Sequence, residues 1–200
     1  LQAQEFVRII KLYGAQAQYA RAVEWCAGFG AIGFELYGSD ICRHISFTDC
    51  FAPAIENCQE TAKFNGISQY NTYLSSSISA IDPQLPWDLV VANPPHVSNK
   101  EQFIQGLLDY GQHVSVNELV DLDLALRLTL DENFDIHREF FANISSRLSD
   151  SAEVFLSETA RHPELENMAV HAGFVIVNWY PMTVQNLQML HLKKEIKHVI

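Results

Sequence analysis

A chain of 200 residues, 48% hydrophobic, is long enough for one domain with a core of its own. Its net charge of −11 argues against a broad nucleic-acid surface, which needs a basic footprint, although a local basic patch stays open. No apolar run reaches the ~18 residues of a membrane span.

Four cysteines, Cys26, Cys42, Cys50 and Cys58, form no Cys-x-x-Cys pair, which suits free thiols in a cytoplasmic setting. No signal-peptide pattern opens the chain. It starts on Leu1 rather than Met, which fits a missing N-terminal portion.

Residues 5–13 space their apolar groups helically and predict a short helix. Residues 1–20 are taken as an N-terminal element that packs on the domain or links to something absent, and 21–200 as the domain. Residues 23–27 read as the first strand. Gly28-Phe29-Gly30-Ala31-Ile32-Gly33 follows, a G-x-G-x-x-G between a strand and a helical stretch. Glycines there permit a tight turn and close approach of a ligand to helix N–H groups.

A second strand over 41–47 leads to Asp49, the position where nucleotide-binding α/β folds put an acid for ribose hydroxyls. Pro53 suits the first turn of a helix, and Asn65-Gly66 its end. Residues 70–74 read as a third strand running into Ser75-Ser76-Ser77.

Residues 87–92, Trp-Asp-Leu-Val-Val-Ala, are too few for a typical helix and suit a strand buried on both faces. Asn93-Pro94-Pro95-His96 comes next. Two prolines end the hydrogen-bond ladder and push Asn93 into an extended conformation. A stiff polar corner results, at the strand end where open α/β sheets place ligands. Asn93 offers an amide oxygen there, Pro94 a carbonyl that no helix claims, and His96 a ring that titrates.

Residues 97–135 are acidic (Asp109, Glu118, Asp121, Asp123, Asp131, Glu132, Asp135), with Leu122, Leu124, Leu126, Leu128 and Leu130 alternating. The acids read as a solvated face rather than a metal site; the strict alternation suits a strand, while the surroundings suit an insertion covering the substrate pocket, and both stay open.

Residues 136–148 are helical by spacing, with Ile136, Phe140, Phe141, Ile144 and Leu148 on one face and His137 as a cap-region or surface histidine. Residues 152–156 make a fifth strand that sets Glu158 beside the Asn93 corner as a substrate contact. A helix over 163–172 closes at Gly173. Strands over 174–180 and 188–194, joined by a short loop with Pro181 and Asn186, complete the chain.

Strands alternating with helices from about residue 21 predict a three-layer α/β Rossmann-like sandwich. Glu24-x-Cys26-x-Gly28-x-Gly30 resembles the acidic-x-Gly-x-Gly-x-Gly loop of S-adenosylmethionine-dependent methyltransferases, with Cys26 where that family has glycine. Asp49, Ala54, Ile55, Cys58 and Asn65-Gly66 follow the pattern of its protein-glutamine and adenine-amino members, the methyltransferase small domain type. Asn93 to His96 is similar to their Asn-Pro-Pro-aromatic motif, with His96 in place of the aromatic residue.

The resemblance implies a mostly parallel seven-stranded sheet closed by a C-terminal antiparallel hairpin. It implies S-adenosylmethionine as cofactor, released as S-adenosylhomocysteine. The cofactor would be held by Glu24, Cys26, Ala27, Gly28, Gly30, Asp49 and Asn93, with Ser75 or Ser76 at the adenine amino group. The implied catalytic residues are Asn93, Pro94, Pro95 and His96. The Asn93 oxygen and Pro94 carbonyl would take both N–H bonds of a target –NH2, and His96 would stack on it or receive a proton.

The acceptor would be a protein amide or a small molecule, the net charge disfavouring a nucleic-acid base. Two other readings stay open. A nicotinamide-dependent oxidoreductase is disfavoured by Glu24 and the Asn-Pro-Pro corner. A Rossmann-like binding domain without catalysis is kept open by Cys26 and His96.

Overall fold

A computed structural model describes residues 2–96, 101, 105, 130–184 and 187–196 of the chain. Among the described residues seven strands run as β1 (Tyr19–Trp25), β2 (Cys42–Asp49), β3 (Tyr70–Leu74), β4 (Trp87–Ala92), β5 (Leu148–Glu158), β6 (Phe174–Pro181) and β7 (Gln188–Lys194). Among the described residues five α-helices accompany them: α1 (Gln2–Tyr13), α2 (Ala31–Gly38), α3 (Ala52–Phe64), α4 (Asp135–Ile144) and α5 (Pro163–His171). All seven strands form one sheet in the order β3-β2-β1-β4-β5-β7-β6.

The apolar run of β4 lies at the centre of this sheet, parallel to β1 on one side and β5 on the other. Its alternation feeds both faces: Leu89 and Val91 pack with α1 and α2, while Val90 and Ala92 pack with α4 and α5. The first layer is built from Phe6, Ile9, Ile10, Leu36, Ile45 and Phe47, the second from Trp25, Phe140, Phe141, Ile144, Leu165 and Phe174. A parallel sheet covered on both sides is the three-layer sandwich. β5 to β7 and β7 to β6 are antiparallel, so the last strand inserts between β5 and β6.

β1 ends at Trp25 rather than residue 27, because Cys26 takes a left-handed φ of 54° and leaves the ladder. α4 stops at Ile144, followed by a 3-10 turn, Ser145–Arg147, whose Arg147 guanidinium donates to the carbonyls of Ile81 and Asn143. Leu148 then starts β5, where Lys194 Nζ donates to its carbonyl at 2.8 Å. Most of residues 97–135 lies outside the described residues, including Asp109, Glu118, Asp121, Asp123 and the leucines 122–128; so does Asn186. Among the described residues no group of His, Cys, Asp and Glu is placed to hold a metal, and no helix is long and apolar enough to cross a membrane.

His137 is not a surface or simple cap residue. It is fully buried, with Nδ1 on Asp131 Oδ2 at 2.5 Å and Nε2 on Glu158 Oε1 at 2.9 Å. Asp131 also accepts the N–H groups of Ile136 and His137, and so caps α4. Glu132 and Asp135 are exposed as a solvated face requires, but Asp131 is buried. Burial alone would push the His137 imidazole down; the bonds to Asp131 and Glu158 outweigh it and hold the ring at about 9. At neutral pH both ring nitrogens therefore donate, and the imidazolium bolts the start of α4 to the end of β5.

Two outcomes follow from this packing. Phe6 of α1 is fully buried in the core, so Phe6→Ala should lower unfolding free energy in urea by about 3–5 kcal/mol. A loss under about 1 kcal/mol would mean that α1 is not part of the cooperative unit. Because the folded value of His137 lies above its ordinary 6.5, its contribution is complete below pH 6.5 and is lost as pH rises through about 9. Glu24, also raised, acts in the same sense over a lower window, so the readout is a comparison with His137→Leu. Wild type should lose more stability than this variant between pH 6.5 and 9; parallel pH curves would contradict the buried imidazolium.

Candidate active site

The register of the sheet aligns the carboxyl ends of its parallel strands. Trp25 pairs with Thr48 and Ala92, Asp49 with Leu74, and Ala92 with Leu156. The loops that follow β1, β2, β3 and β4 converge there around a cleft of about 370 Å³.

Glu24, within β1, is 2% exposed and accepts the Gly33 N–H at 2.7 Å and the Ile32 N–H at 3.3 Å. Both donors belong to the first turn of α2 and have no partner within the helix. Gly33 is required by this contact, since a Cβ would lie 2.8 Å from Glu24 Oε2 and 2.6 Å from the Phe47 ring. Gly30 caps α2 with φ 76°, where a Cβ would meet Phe34, Cys58 and Phe47 within 2.9 Å. Burial pushes the Glu24 carboxyl up to about 8, partly resisted by the Gly33 and Ile32 N–H groups and reinforced by nearby Asp49.

Asp49 closes the loop from the other side. Its Oδ2 accepts the Gly28 N–H at 2.8 Å and its Oδ1 the Phe51 N–H at 2.9 Å. Each oxygen keeps a further acceptor position, enough for a pair of hydroxyls. Cys26 lines the cleft with a thiol that burial pushes well up, so it stays protonated. Ser75 donates to the Ser77 carbonyl at 2.8 Å, and exposed Ser76 faces the cleft.

At the far wall, Asn93 Oδ1 accepts from Ser157 Oγ at 2.5 Å and from Gln2 Nε2 at 2.8 Å. Pro95 joins the wall, whereas Pro94 is buried and its carbonyl pairs with His96 Nδ1 at 3.0 Å. His96 thus folds back onto its own corner instead of stacking over the cleft. Glu158 does stand next to this corner in the sheet, but it is 1% exposed, engaged by His137, and does not line the cleft.

Of the residues singled out from the sequence, Glu24, Cys26, Ala27, Gly28, Asp49, Ser75, Ser76, Asn93 and Pro95 share the cleft; Gly30, Pro94, His96 and Glu158 do not line it. The sequence reading missed Gln2, Trp25, Phe29, Phe51, Ile78 and Glu139, which do line it. Glu139 accepts from the N–H groups of Ile78 and Ser79 and from Ser77 Oγ, so α4 holds the loop after β3. Its one legible signal is the i, i+3 spacing from Ile136, which shares the cleft wall.

The charge on this wall discriminates between ligands. Glu24, Asp49 and Glu139 face the cleft, and among the described residues no Lys or Arg lines it. A pyrophosphate would meet carboxylates without a cation. A nucleoside carrying a sulfonium and an ammonium would fit: Asp49 would take its ribose hydroxyls, the 26–28 backbone would meet its polar tail, a cation would draw the Glu24 carboxyl back to its charged form, and Ile78 and Phe51 would give apolar contact.

A family model described as "Methyltransferase small domain" matches residues 12–113, about half of the chain. A comparison with curated proteins finds no match. Among solved structures, the chain is similar to the ribosomal protein L11 methylase of Lactobacillus delbrueckii subsp. bulgaricus. The TM-score is 0.63 at 15% identity, over 96% of this chain and 78% of that one. It is similar to TrmN of Thermus thermophilus with a TM-score of 0.62 at 17% identity, over 96% of this chain but only 48% of that one. The T. thermophilus 16S rRNA N2 G1207 methyltransferase RsmC, in complex with AdoMet and guanosine, gives 0.59 at 14% identity, over 96% and 41%. At these identities the likeness shows a shared fold. The sheet order, the carboxylate-lined cleft and the matched model together carry the conclusion: the chain belongs to the methyltransferase small domain family and is an S-adenosylmethionine-dependent methyltransferase.

Proposed function

We propose that the chain N-methylates a planar amide or amino group, on a protein or small-molecule acceptor. The observation that carries this reading is the position of Asn93. Its amide oxygen opens into the cleft shared by Glu24, Gly28 and Asp49, and the donors it takes there include a carboxamide –NH2. S-adenosylmethionine, when bound, supplies an electrophilic methyl group on sulfur. The chain's part is positioning. Asp49 and the glycine loop fix the nucleoside, while Asn93, stiffened by Pro94 and Pro95, fixes the acceptor nitrogen.

His96, drawn onto the Pro94 carbonyl, must release it if that carbonyl is to take the second N–H of an acceptor. A cytoplasmic setting is supported by four thiols that are all free. A second reading, methylation of a nucleic-acid base, is favoured by the guanosine bound to RsmC, whose fold this chain shares. The net charge of −11 weighs against it.

The test is transfer of a labelled methyl to a panel of glutamine peptides, free amides, adenosine and guanosine. Asn93→Ala should lower turnover on the productive acceptor about a hundredfold or more, with cofactor affinity changed only a few-fold. Lost cofactor binding with intact turnover would contradict the role given to Asn93.

A further inference from the structure

The carboxamide on Asn93 belongs to the chain itself. Gln2, in the first turn of α1, donates from Nε2 to Asn93 Oδ1 at 2.8 Å and to Ser157 Oγ at 3.3 Å. Its side chain forms part of the same cleft wall as Glu24, Gly28 and Asp49. Ser157 is fully buried and donates to Asn93 Oδ1 at 2.5 Å, so the oxygen that receives Gln2 is itself held in place. Gln2 and Asn93 are 91 residues apart, and what brings them together is the burial of Phe6, Ile9 and Ile10 against the sheet.

Resting on the acceptor role of Asn93 proposed above, we propose that Gln2 is a self-methylation site, with Nε2 as the acceptor nitrogen. The two oxygens stand 2.5 Å apart, so both lie on one side of Nε2 and anchor the amide there, at the cleft wall. In the transfer, Nε2 uses its electron pair to form an N–C bond while the methyl group's bond to sulfur breaks. The sulfur keeps that bond's electron pair and leaves as the neutral thioether of S-adenosylhomocysteine. The N-methylated amide is briefly cationic and a strong acid, and it gives one proton to water. The product is a secondary amide with one N–H.

The experiment uses the full chain and S-adenosylmethionine carrying a labelled methyl, with no added acceptor. Peptide mass spectrometry should place one methyl on Gln2, at a rate independent of protein concentration, as an intramolecular reaction requires. Gln2→Glu, which keeps the length of the side chain but removes its nitrogen, and Asn93→Ala should both lose the label, and thermal melts should show both variants folded. An unmodified Gln2 in a chain that binds S-adenosylmethionine by calorimetry overturns the proposal. If label instead reaches an added amide or guanosine while Gln2 stays unmodified, self-methylation falls and the acceptor role of Asn93 stands. If neither binding nor label is found, both fall.

Discussion

One buried carboxylate holds the cleft in shape. The glycine loop between β1 and α2 has no side-chain cap, and α2 has only eight residues, so its first-turn N–H groups need a partner from elsewhere. Glu24 supplies it from inside β1, reaching Ile32 and Gly33. The helix can approach only because Gly33 lacks a Cβ, and the loop can turn only because Gly30 tolerates a left-handed φ. The same burial makes the Glu24 charge expensive, which is why its carboxyl is held up at about 8. A cationic ligand in the cleft would relieve that cost.

The Asn93 side of the cleft is built on a second, longer chain of contacts. Leu130 leads into Asp131, which caps α4 and pairs with His137; His137 pairs with Glu158, and the neighbouring Ser157 holds Asn93. Trp25, at the end of β1, stacks on Phe140 and meets His137 edge-on, so the buried ion cluster also supports the floor of the cofactor cleft. The Asn93 corner is therefore set by the packing of α4 against β5 as well as by its two prolines.

Local signals made much of this legible. β3 and β4 are predicted at their observed bounds, since β4 is a short apolar run ending in prolines and β3 a short aromatic and β-branched run ending in serines. Glu24, Gly28 and Asp49 meet in the cleft because the strand–loop–helix order of an α/β fold puts successive loops on one edge. What failed was non-local. β1 starts four residues before the predicted strand, where Tyr19 is held by the buried Glu153 of β5, 134 positions away. The burial of His137 depends on one acid before its helix and another two elements later. Glu158 stands in the sheet where strand counting puts it, yet that ion cluster turns it away from the cleft. Gln2 carries no pattern at all, because its place depends on where a whole helix docks.

The most direct measurement is calorimetric titration of the chain and of Asp49→Ala with S-adenosylmethionine, S-adenosylhomocysteine and NAD. The account predicts that wild type binds the first two and not NAD, and that Asp49→Ala loses at least about tenfold in affinity, the equivalent of one hydrogen-bonded charge. Equal affinities in the two proteins, or binding of NAD alone, would contradict it.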